Sequence, residues 1–125
     1  MKYSFENLNY EFGFAHGGVS PIYFCRTEEL SSNFAFNFLD FVIVPISSSI
    51  GKHTHATDNQ EIYVIISGCG EMIVDGIYYQ VKDGDVIVNA IGGTHELINT
   101  GDQEIHLVVI ETPLKVTNDL NSSNS

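Results

Sequence analysis

The stretch EIYVIISGCGEMIVDGIYYQV, residues 61–81, decides the fold. It contains three short runs of aliphatic and aromatic residues, 61–67, 71–74 and 77–81, parted by Gly68-Cys69-Gly70 and by Asp75-Gly76. Each run has the length of a strand. Asp75-Gly76 between two apolar runs is the strongest hairpin signal in the chain, because both central positions of a type I′ turn need positive φ. The same pattern continues outward on both sides. Further runs occupy 21–26, 36–44, 85–88, 95–98 and 105–111, with turn residues at Lys82-Asp83-Gly84, Gly92-Gly93 and Thr100-Gly101-Asp102. Many short strands at such spacing predict an antiparallel sandwich or barrel. No segment between strands is long enough for a crossover helix, which disfavours a parallel α/β fold. A single helical turn is expected over 27–32, with Thr27 as its N-cap.

The 125 residues suffice for one domain. With 43% apolar and 17% charged residues, the composition is that of a globular chain, not a disordered one. Sixteen acidic residues against 5 basic ones leave a net charge of −11. That balance weighs against nucleic-acid binding and against an anionic membrane surface. No run of 18 apolar residues predicts a membrane helix. The first ten residues carry no apolar core of a secretory signal, and Cys25 and Cys69 are expected to be free thiols. These features together predict a cytoplasmic protein. The barrel domain is expected over 1–116, N-terminal extension included, and a disordered tail over the Asn/Ser-rich 117–125.

The segment Gly51-Lys52-His53-Thr54-His55, followed by Glu61, carries the chemistry. On a strand, residues i and i+2 share a face, so His53 and His55 present two imidazoles side by side. Glu61 opens the next strand, and His95 follows Gly92-Gly93-Thr94. Three imidazoles and one carboxylate suit a divalent transition metal. Tyr63 is either a pocket residue beside that metal or a wall tyrosine. His16, before Gly17-Gly18, is either an acid–base group reaching a pocket or a turn residue. His106 alternates with apolar neighbours and reads as a wall histidine.

The whole pattern resembles the two sequence motifs of the cupin superfamily, G-x5-H-x-H-x3–4-E-x6-G and G-x5-P-x-G-x2-H-x3-N. His53, His55, Glu61 and Gly68 match the first motif, with a slightly longer loop before Glu61. Gly84, Gly92, His95 and Asn99 match the second. Two positions depart: Ser47 stands where the family has its opening glycine, and Ala90 where it has proline. The likeness covers about Val44 to Glu111. It implies an all-β antiparallel double-stranded β-helix, or jelly-roll barrel, whose metal ligands are His53, His55, Glu61 and His95. It also implies a homodimer. Strand parity then sends Tyr63, Ile65 and Ser67 inward with Glu61, and Leu97 and Asn99 inward with His95. Ile62, Val64 and Ile66 are apolar too, so both faces of that strand are expected to be covered.

Such a site, loaded with Fe, Mn, Ni, Co or Zn, predicts an enzyme acting on a small carbonyl, carboxylate or sugar-like metabolite by isomerase, lyase or dioxygenase-type chemistry. The alternative from another class is a non-catalytic cupin that binds metal and metabolite as a sensor or storage module. Its motivation is the lack of an obvious acid–base residue beyond the ligands.

Overall fold

The turn at Asp75-Gly76 forms as its residues require. Asp75 has φ 49° and Gly76 φ 81°, and they join two paired strands in which Val74 faces Ile77. The fold around this hairpin is that of a computed structural model describing residues 1–18, 20–54 and 59–113. Ten strands run in chain order: β1 (Glu11–Gly13), β2 (Ile22–Arg26), β3 (Phe38–Val44), β4 (Ser49–Thr54), β5 (Asn59–Ser67), β6 (Gly70–Val74), β7 (Ile77–Val81), β8 (Val86–Asn89), β9 (Thr94–Ile98) and β10 (Ile105–Pro113). They form a six-stranded sheet, β1-β2-β3-β10-β5-β8, and a four-stranded sheet, β4-β9-β6-β7. Every pairing is antiparallel. This is the expected all-β architecture. His55 and the tail 117–125 lie outside the described residues. No described helix is long and apolar enough to cross a membrane.

The two sheets close on a core of Val44, Ile65, Met72, Leu97, Ile105 and Leu107. These come from alternate positions of their strands, as a pleated sheet demands. Register carries the same inward faces along the larger sheet. Val42, Leu107 and Ile65 form one row across β3, β10 and β5; Asp40, Val109 and Tyr63 form the next. Phe38, Glu111, Glu61 and Asn89 form the row after that. The sheet therefore grades from apolar to polar toward one end, and the candidate site lies at that end.

The single α-helix among the described residues, α1 (Glu28–Asn33), starts after Thr27 as expected. The Thr27 hydroxyl does not cap it, however. It donates to the Leu39 carbonyl at 2.7 Å and so fastens the helix start to β3. Two short elements lack any clear sequence signal: β1, and a 3-10 turn at Phe5–Asn7. Phe5 packs edge-on against Phe41 and His106 on the outer face of the larger sheet. His106 is thus an outer-face residue, bonded at 3.2 Å to Ser67, which shares that face instead of pointing inward as strand parity predicts, because the β5–β10 register shifts between His106 and Leu107. Cover on that face is uneven. Ile62 and Val64 are half-buried, while Ile66 is 48% exposed.

Candidate metal centre

Three of the four histidine and glutamate positions singled out by their spacing meet at the polar end. His53 on β4 lies directly opposite His95 on β9. A register shift between Ile50 and His53 adjusts the strand just before the pair. Glu61 reaches them from β5 in the facing sheet. The segment before β2 closes the site from a third side. There the amides of Gly18 and Gly51 both donate to the Ala15 carbonyl, at 3.0 and 2.9 Å. A Cβ at Gly51 would overlap the His16 carbonyl and crowd the Gly18 nitrogen, so only glycine lets the 15–18 turn sit on β4.

Glu61 Oε1 lies 3.3 Å from His95 Nε2 and 4.0 Å from His53 Nε2. One donor atom from each of the three residues falls within 4.8 Å of the others. His95 is 1% exposed and Glu61 8%, so the cluster is withdrawn from bulk water. His53 Nδ1 sits 2.8 Å from the Gly51 carbonyl. A carbonyl only accepts, so Nδ1 carries a proton, and in the neutral ring Nε2, on the Glu61 side, keeps the lone pair that an ion would take. Burial pulls the His53 pKa down, but the Glu61 carboxylate and the Gly51 carbonyl outweigh it, and the net shift is upward. Two imidazoles, that of His53 held in one tautomer by the Gly51 carbonyl, and one inward carboxylate suit a divalent transition ion. His53, Glu61 and His95 could therefore hold one.

The other two residues singled out by sequence also stand here. His16 stacks on His53 with ring centroids 3.6 Å apart and planes 12° apart. It does so from the left-handed region, φ 54°, a conformation that costs a non-glycine residue about 1–3 kcal/mol. Tyr63 meets His95 edge-on at 5.4 Å. Burial, with a smaller push from the Glu61 charge, raises its phenol well above the usual value, so the hydroxyl stays protonated. Both residues line a cavity of about 290 Å³ that also touches Glu61. Its remaining wall is mostly apolar, with Phe14, Ile22, Phe24, Val42 and Val109.

Three residues at this end escape a reading of the sequence. Arg26 and Asp40 form a two-pronged ion pair in the cavity wall, Nε to Oδ1 at 2.9 Å and Nη2 to Oδ2 at 3.0 Å. The guanidinium also lies 3.8 Å from the Phe38 ring centre. Burial pushes the Asp40 carboxyl up, and Arg26 only partly offsets it. A lone acid inside the apolar run 36–44 is the signal that could have exposed this pair. The third is Asn89. It stands directly opposite Glu61 across β5 and β8 and is 1% exposed. Neither its amide nitrogen nor its oxygen has a hydrogen-bond partner among the described residues. Leaving such a group unpaired costs about 1–3 kcal/mol.

Comparison with known proteins agrees with this geometry. A family model described as a cupin domain matches residues 40–111. An uncharacterized protein of Methanocaldococcus jannaschii is 34% identical over 71 residues, covering 57% of this chain and 56% of its own. An oxalate-binding protein of Thermotoga maritima is 33% identical over 67 residues, 54% of each chain. The match thus spans little more than half the length of either relative. Among solved structures, a predicted oxalate decarboxylase from Thermotoga maritima superposes with a TM-score of 0.82 at 25% identity, covering 91% of this chain and 100% of its own. The cupin domain of Schizosaccharomyces pombe Cnp3 superposes with a TM-score of 0.73 over 98% of this chain and 77% of its own. At 16% identity, that likeness shows the fold alone.

Proposed function

The chain belongs to the cupin family, and from that premise we propose that it is a metal-dependent enzyme acting on a small carbonyl, carboxylate or sugar-like metabolite within the barrel. The observation that carries this reading is the convergence of His53, Glu61 and His95 within 4.8 Å, with Glu61 also forming part of the cavity wall. His55 is the fourth ligand of the proposed set. A divalent Fe, Mn, Ni, Co or Zn ion held by these groups supplies a Lewis acid that polarises a carbonyl or carboxylate.

The chain's own residues do the rest. The apolar wall excludes water and favours a ligand with a compact, partly apolar body. The Tyr63 phenol, kept protonated by its burial, donates to a ligand oxygen. His16, in the cavity wall against His53, is the group able to take up or return a proton. Its left-handed backbone is a local cost that the surrounding fold sustains, as is common where a side chain is held for function. At the other side of the cavity, Arg26 and Asp40 give the ligand a charged edge to align on.

A second reading has its own support. One relative is named for binding oxalate and not for converting it, so a non-catalytic module that holds metal and a small acid is the alternative. The same preparation tests both. Protein stripped of metal and reloaded with Fe, Mn, Ni, Co or Zn in turn is expected to retain about one ion per chain by elemental analysis. It is then incubated with oxalate, small hydroxy acids, keto acids and sugar phosphates. Metal-dependent turnover supports the enzyme; saturable binding without turnover supports the module. Absence of stoichiometric metal under every loading removes both. The reading includes a homodimer, which light scattering measures directly.

A further inference from the structure

We propose that Asn89 is a positioning residue for the metal centre, donating from its side-chain amide to the Glu61 carboxylate when an ion is bound. The inference rests on the metal-binding reading above and extends it to a residue outside the motif.

Asn89 ends β8 directly opposite Glu61. Opposed residues of an antiparallel pair share a face, with Cβ atoms about 4.5–5.5 Å apart. Both side chains are buried on the inner face, in the row that ends the polar side of the sheet. The rest of β8 is Val86, Ile87 and Val88. Ile87 shares the inward face with Asn89 and lies opposite Tyr63. A leucine at 89 would continue that apolar wall without leaving any polar group unsatisfied. An amide kept there, with both heteroatoms lacking a hydrogen-bond partner among the described residues, calls for an explanation. The carboxylate across the strand pair supplies one. A carboxylate shared with two imidazoles must hold a fixed orientation to hold an ion, and a hydrogen bond from a neighbouring amide provides it. The strain of the unpaired amide belongs to the metal-free state and is relieved on loading.

The test uses the full chain, Co(II) alone as probe, and the variants Asn89→Leu and Asn89→Val. Metal-free, at least one of these should unfold at the wild-type temperature or above it. Both should bind Co(II) roughly 10- to 100-fold more weakly, the usual cost of losing a group that orients a ligand. The visible Co(II) spectrum should shift as Glu61 loses its fixed pose. In a Glu61→Ala background, replacing Asn89 should weaken Co(II) binding little further, because the partner it acts on is gone. Wild-type Co(II) affinity in both variants overturns the inference. So does an Asn89 effect that persists in full without Glu61, or a lower metal-free unfolding temperature in both variants. If the wild type itself binds no Co(II), the metal reading fails and takes this one with it; if it binds and the variants bind equally, this inference alone fails.

Discussion

The two ends of the barrel are built from the same strands. On β5, Ile65 belongs to the apolar end and Glu61 to the polar one; on β9, Leu97 and His95 divide the same way; on β10, Leu107 and Glu111 do. At the apolar end the inward groups are mostly aliphatic, the buried Asn99 is satisfied by the Val44, Pro45 and Gln103 carbonyls, and burial there stabilises the fold. At the polar end the inward groups are His53, His95, Glu61, Asn89 and Asp40, which lose hydration when buried and recover only part of it in hydrogen bonds. One end thus supplies the stability that the other consumes. A protein arranged this way should respond to substitutions in opposite fashion at its two ends.

The largest expected effect is at the apolar end. Leu107→Ala should cost about 2–5 kcal/mol and lower the unfolding temperature by roughly 10 °C, while the folded fraction still takes up metal. Calorimetry with metal analysis checks both, and loss of metal binding in folded Leu107→Ala would break the division. At the polar end, His95→Ala should weaken metal binding beyond the roughly 10- to 100-fold that removal of an orienting group costs. It should change metal-free stability far less than Leu107→Ala does; an equal stability loss would make His95 a core residue first.

The pH dependence sharpens the contrast further. The folded pKa of His53 lies above its ordinary 6.5, so the stability it adds to the metal-free chain is complete below that value and is lost as pH rises through the folded pKa. A bound ion competes with the same proton. The gap in unfolding temperature between loaded and metal-free protein should therefore widen from about pH 6 to about pH 8. A gap that stays constant would exclude His53 as a ligand. The smallest effect concerns Ser47, which sits near the apolar end with φ 64° in the position where the motif has glycine. Ser47→Gly should relieve the left-handed strain and raise stability by up to about 1 kcal/mol, with no change in metal affinity.

Much of this was legible in the sequence because local chemistry decided it. Asp75-Gly76 specified its own hairpin. The i, i+2 period of β5 sent Glu61, Tyr63 and Ile65 to one face before any contact was known. The motif spacing brought His53, Glu61 and His95 to a single place. Other features depend on neighbours distant in the chain. β1 is three residues whose strand character comes from pairing with β2. Thr27 looked like a cap and instead bonds to Leu39, twelve residues on. The 21–26 run ended on Arg26 with no hint of Asp40, its partner one strand across. Asn89 fell just past the run 85–88 and drew no reading of its own. Its lack of partners is a property of the packed barrel and has no local signature.

The Ala15 carbonyl accepts from Gly18 and Gly51 at once. One oxygen therefore joins a turn of the N-terminal segment to the strand that carries His53. Lifting the segment from β4 breaks the Gly51 bond, while the Gly18 bond lies within the 15–18 turn and travels with it; the His16 ring leaves His53 in the same step. The turn can therefore leave the strand as a preformed piece that keeps its own hydrogen bond, a small unit of local unfolding beside the site.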